Sequence, residues 1–236
     1  MAHDVNDFRA FYATPLGQAA GHQIQACIRS LWPNLDGCCV LGMGYALPYL
    51  DFYLKPAESV FAFMPAQRGV MLWPDTGQSR VALVEESSLP LPDESVDRIL
   101  MIHALEHAEQ VRPLLREAWR ILSGNGRLLV IAPNRRSLWA SLESTPFGHG
   151  EPYTLTQLTT VLRGNLFTPI NFKRALYLFP SQSRVMMACA PFLDKVGQRA
   201  LQKFSGVVCV EAIKQVYVGT AAGQRKAVRA TSLVGA

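Results

Sequence analysis

The sequence predicts a doubly wound α/β fold, and three observations predict it. Short apolar runs that read as buried strands alternate with stretches of helical periodicity through the first two thirds of the 236 residues. The first such run, Cys39-Val40-Leu41, breaks at Gly42-Met43-Gly44 into a segment of helical character, which is the strand, glycine turn and helix start of an open parallel sheet. The chain is long enough for one sizeable core, and its 49% hydrophobic and 17% charged residues exclude a disordered protein.

Residues Met1 to Trp32 begin with a polar lead and pass through DFRAFYATPLG into a helix from about Leu16 to Trp32. Pro15 suits its first turn, and Leu16, Ala19, Ala20, Ile24, Ile28 and Leu31 share one face. Pro33, Asn34, Asp36 and Gly37 turn the chain into the first strand. Without a Cβ, Gly42 and Gly44 can bring their amides close to a ligand in the crevice that opens there. Ser59 to Met64 reads as a second strand ended by Pro65, and the glycines and proline after it predict a loop in place of a helical crossover.

Val81 to Val84 is a third strand, closed by Glu85-Glu86-Ser87-Ser88, and Val96 to Ile102 a fourth. A helix is expected from about Leu105 to Leu122, ended by the turn Ser123-Gly124-Asn125-Gly126, with a fifth strand over Arg127 to Ala132. The segment TPFGHGEPY is too rich in Gly and Pro for regular structure, and Thr154 to Leu162 resumes as a helix. Asn171 to Phe179 and Gly206 to Val218 read as two last strands around a short helical insertion, paired antiparallel at the sheet edge. Residues 1–218 are thus expected as one domain and 219–236 as a disordered basic tail.

The net charge of +5 owes much to Arg225, Lys226 and Arg229 of that tail, so it says little about an acidic partner. Five cysteines, with Cys38 and Cys39 adjacent and no C-x-x-C pair, indicate reduced thiols and a cytoplasmic setting. No apolar run is long enough to span a membrane, and Asp4, Asp7 and Arg9 at the start argue against a signal peptide.

Four stretches carry a resemblance: VLGMGYA at 40 to 46, the Glu85 to Pro92 connector, DRILMIHALEH at 97 to 107, and LLREAWRILSGNGRLLVIAPN at 114 to 134. Together they resemble the class I S-adenosylmethionine-dependent methyltransferases over roughly Asp36 to Asn134. The resemblance implies a Rossmann-like, seven-stranded, mostly parallel sheet with one antiparallel edge strand, and S-adenosyl-L-methionine as cofactor. It divides the domain into an N-terminal lid and helix (1–35), a cofactor-binding core (36–134) and a substrate side (135–218).

By the same resemblance, Gly42 and Gly44 match the first two glycines of the cofactor loop and Ala46 stands where a third is usual. Glu85, with Glu86 beside it, stands where a side chain accepts from the adenine amine, and His103 stands at the sulfonium end. The chain departs at two places, with Val40 and Met64 where the family usually has acidic residues, the second of them on the ribose. A charged hydrogen bond to a ligand is worth roughly 1.5–3 kcal/mol, so weak cofactor binding is expected.

Methyl transfer needs mainly orientation and approach distance, and a base only when the nucleophile carries a proton. His103 is the candidate catalytic base, with His149 and Tyr153 as substrate contacts in or beside the Gly-Pro loop. His103-Ala104-Leu105-Glu106-His107 also matches the H-x-x-E-H zinc-hydrolase motif. That motif needs both histidines on one helix, and the strand composition of VDRILMI places His103 before a helix begins, so no metal is expected. The fourth strand ends in Ile102-His103-Ala104-Leu105, unlike base-modifying enzymes of the family. A small-molecule acceptor is therefore expected before a nucleic acid, and Arg135 and Arg136 read as a solvated loop. The rival reading is a protein of this fold that has lost catalysis and serves as a binding or regulatory partner, and Val40, Ala46 and Met64 favour it.

Overall fold

The computed structural model describes residues 4–215 apart from Val70, Asp75 and 181–203, so the expected helical insertion and basic tail lie outside the described residues. Seven strands form one sheet in the order β3-β2-β1-β4-β5-β7-β6. Parallel ladders join β1 (Cys39–Gly44), β2 (Ser59–Pro65), β3 (Val81–Val84), β4 (Val96–Ile102) and β5 (Leu122–Pro133). β7 (Val207–Lys214) runs antiparallel both to β5 and to the edge strand β6 (Phe167–Ala175). The order reverses between β1 and β4, and their carboxyl ends border the crevice where such sheets bind ligands.

The sheet is buried on both faces, which is why its central strands are near-continuous apolar runs. Alternate residues divide between the faces: Val40, Leu100 and Leu129 pack with Ile24 and Ile28 of α2 (Pro15–Leu31). Leu41, Ile99, Leu128 and Val130 pack on the other side with Leu114, Leu115 and Ala118 of α4 (Val111–Ile121) and Leu158 and Leu162 of α5 (Leu155–Gly164). β1 runs on through Gly42-Met43-Gly44, where the sequence predicts a turn, and the helical character after it is brief, one turn of α3 (Leu47–Leu50).

The structure corrects the sequence reading at several element boundaries. The lead, to which the sequence reading assigns no element, contains α1 (Val5–Ala13), started by an Asp4/Asp7 capping box and anchored by buried Val5 and Phe8. Thr14 ends it and caps α2, its hydroxyl accepting from the Gly17 amide at 3.0 Å. The helix expected over 105 to 122 is a 3-10 turn at Leu105–His107 and then α4, because Pro113 is tolerated only in a helix's first turn. Ser123 to Gly126 belong to β5, with a register shift between Val96 and Arg98 opposite them. β6 starts at Phe167, earlier than Asn171, since an edge strand accommodates Pro169.

Candidate active site

The site is built where β1 and β4 end side by side. The Tyr45 amide donates to the Ile102 carbonyl at 2.8 Å, which leaves no room for a side chain at Gly44: at φ +74°, its Cβ would lie 2.4 Å from that same oxygen. A Cβ at Gly42 would lie 2.5 Å from Leu50 Cδ1 and 2.9 Å from Ala46 Cβ, so this glycine admits α3 onto β1. Both glycines are thus required by the chain's own packing.

At the end of β4, His103 is 1% exposed and held at φ +51°. Its Nδ1 lies 3.1 Å from Glu106 Oε1 and its Nε2 lies 2.9 Å from the Tyr12 hydroxyl, which accepts from Tyr49 at 3.1 Å. The result is a buried relay from Tyr49 through Tyr12 and His103 to Glu106. Burial pushes the Glu106 carboxyl up, but the His103 hydrogen bond and the two imidazoles outweigh it and hold the group below the usual carboxylate range. Burial, reinforced by Tyr49, drives the Tyr12 phenol well above its ordinary value, so it stays a neutral donor and acceptor.

α1 lies across this crevice. The Phe8 ring stacks on Tyr45 at 5.1 Å and tilts against His103 at 5.0 Å, while Phe147 approaches His103 from the 144 to 153 loop at 4.9 Å. Among the other residues singled out from the sequence, Ala46 is fully buried and Met64 is 2% exposed within the same core cluster as Phe8. Glu85 and Glu86 stand apart, lining a cavity of about 100 Å³ with Pro65, Gln67, Glu109 and Gln110. Glu85 is exposed and accepts from Ser87 Oγ at 3.3 Å; burial raises the Glu86 carboxyl against the pull of Arg68. His149 contacts the Glu143 carbonyl, and Tyr153 pairs through its backbone beside Asn134, so Phe147 is the loop residue that reaches His103.

The residues that sequence reasoning missed are Phe8, Tyr12, Tyr49 and Phe147, and Glu106 it named only within the zinc-hydrolase motif it set aside. Phe8, Phe11 and Tyr12 stand at helical spacing, the one signal that reveals α1 before the fold is known. An adenosyl sulfonium does not fit these residues in this arrangement. The cavity at Glu85 and Glu86 is about 100 Å³, against roughly 300 Å³ or more for a small-molecule site, and Phe8, Tyr12 and Met64 fill the rest of the crevice.

Residues 41–130, from within β1 to within β5, match the family model of the methyltransferase domain. Over 78 residues the chain is 35% identical to a probable S-adenosylmethionine-dependent methyltransferase of Mycobacterium tuberculosis, covering 32% of this chain and 28% of that protein's length. Among solved structures, an S-adenosylmethionine-dependent methyltransferase from Thermotoga maritima superposes with a TM-score of 0.62 at 19% identity, covering 89% of this chain and 96% of that one. A chain from a complex of the Haloferax volcanii Trm112 activator with a methyltransferase gives a TM-score of 0.63 at 17% identity, over 92% and 100%. The [4+2]-cyclase SpnF gives 0.60 at 19% identity, over 92% and 87%. The sheet order and the structural neighbours define a class I methyltransferase fold, and within it residues 41–130 are similar to the methyltransferase domain. The chain spans 28% of the length of the curated relatives it matches. No helix among the described residues is long and apolar enough to cross a membrane.

Proposed function

We propose that the protein is an S-adenosylmethionine-dependent methyltransferase acting on a small-molecule acceptor. The observation that carries this reading is the matched stretch itself, since 41–130 includes both segments that border the crevice, the glycine-bearing end of β1 and His103 after β4. S-adenosylmethionine would supply an activated methyl group, at the crevice that Phe8 and Tyr12 occupy in this structure. His103, held by Glu106 on Nδ1 and by Tyr12 on Nε2, is the residue that would take a proton from an acceptor hydroxyl or amine. Glu85 and Glu86 remain the residues for the adenine amine, and a cytoplasmic setting agrees with Cys27, Cys38, Cys39 and Cys209 standing outside any disulfide.

Titration calorimetry with S-adenosylmethionine and its demethylated product tests the reading. The expected result is binding in the micromolar range or weaker for the full chain. Absence of heat for the full chain and for Phe8→Ala alike overturns it. The second reading, a member that has lost catalysis and binds a partner, is favoured by the filled crevice and by Met64 in place of the ribose carboxylate. The likeness to a [4+2]-cyclase adds that this fold serves chemistry outside methyl transfer.

A further inference from the structure

We propose that His103, Glu106 and His107 form a binding site for one divalent transition-metal ion. The proposal goes beyond methyl transfer and does not depend on it. Each residue offers one donor atom, and the donors lie within 4.8 Å of one another. Zinc ligands at about 2.0–2.2 Å stand about 3.0–3.5 Å apart around a common ion. His103 Nδ1 and Glu106 Oε1 are already 3.1 Å apart. The other carboxylate oxygen, Glu106 Oε2, is buried with no hydrogen-bond partner, which is the condition of a group whose natural partner is an ion or a water.

The surroundings hold the donors in place. The backbone of the turn is clamped from two other segments: the Glu151 amide donates to the Glu106 carbonyl at 2.7 Å, and Arg68 donates to the His107 carbonyl at 2.8 Å. Arg68 faces Glu86 and Glu106, and its guanidinium donates to that backbone carbonyl. Gly150, at φ +76°, lets the loop press against the His107 ring, since a Cβ there would lie 2.8 Å from His107 Nδ1. Tyr12 on His103 Nε2 fixes the ring so that Nδ1 faces Glu106. Two imidazoles and a carboxylate suit Zn²⁺, Mn²⁺, Fe²⁺ or Co²⁺, and disfavour Mg²⁺ or Ca²⁺, which take oxygen donors.

The test uses the full chain, purified with chelator and dialysed against Zn²⁺, Mn²⁺ or Co²⁺, with bound metal measured by mass spectrometry and affinity by calorimetry. One ion per chain is expected, with a Co²⁺ spectrum lacking the intense thiolate charge-transfer bands that the cysteines would give. Glu106→Gln and His107→Gln should each abolish stoichiometric binding, while Tyr12→Phe should weaken it by about tenfold. If Glu106→Gln does not fold by circular dichroism, the half-buried His107 provides the deciding variant. Failure of all three ions to bind, binding undiminished in His107→Gln, or a thiolate-type Co²⁺ spectrum would overturn the proposal. Because the readout is metal content, failure here leaves cofactor calorimetry untouched, and the reverse also holds.

Discussion

Gly44 shows how little freedom a single position in this crevice has. Its φ of +74° and the 2.4 Å approach a Cβ would make to the Ile102 oxygen combine backbone strain with a steric clash. Gly44→Ala is expected to destabilise the fold by about 3 kcal/mol, measured by urea denaturation, because a left-handed non-glycine residue costs about 1–3 kcal/mol before any clash. Met64 has a similar lesson. It stands where the family carries a ribose carboxylate, but its side chain is 2% exposed. Met64→Asp should therefore lower the melting temperature, and a carboxylate in this apolar cluster should titrate above the usual range. An unchanged melting temperature would mean that the end of β2 is open to solvent.

Between elements, the clearest tie is Glu211 on β7. Its side chain is fully buried and accepts from Trp32 Nε1 at the end of α2 at 2.9 Å, from Arg127 on β5 at 3.0 Å and from Asn171 on β6 at 2.6 Å. One carboxylate therefore joins a helix to three neighbouring strands. Burial raises its pKa, but the donors of Asn171, Trp32 and Arg127 more than offset this and leave it below the usual range. A depressed folded-state value means that the stabilisation is complete above the unfolded value of about 4.3 and is lost as the pH falls through the folded one. Glu211→Ala should cost about 3 kcal/mol at neutral pH, with three donors left without their acceptor. It should also flatten the acid limb of the stability curve, and a curve parallel to wild type below pH 4.3 would show that another group controls acid unfolding.

Over the whole molecule, the decisive relation is between α1 and the sheet. α1 packs Phe8 and Tyr12 into the switch point of a fold whose ligands bind there, and under the proposed function a cofactor and α1 would compete for that place. Burying a phenylalanine contributes about 2 kcal/mol, so a closed state that relies on Phe8 lowers the apparent affinity by about thirtyfold. Phe8→Ala should accordingly bind S-adenosylmethionine about thirtyfold more tightly than the full chain. Equal affinities would show that α1 does not compete with the cofactor.

Much of this protein is determined by sequence alone. The strands at Ser59, Val81 and Val96 and the edge pairing of the last two strands follow from apolar runs and turn residues, because burial on both faces of a parallel sheet leaves a continuous local signature. His103 is visible too, as the polar residue that ends the fourth apolar run. Only the tertiary structure decides what surrounds it. α1 has nine residues, too few to be a stable helix by local preference, and it exists because Phe8 and Val5 have a crevice to fill. Tyr12 meets His103 across 91 residues, and Glu106 turns from a helix position into the partner of an imidazole because His103 adopts a left-handed backbone. Contacts of that range leave no periodicity in the chain, so the elements could be read in advance and the closed crevice could not.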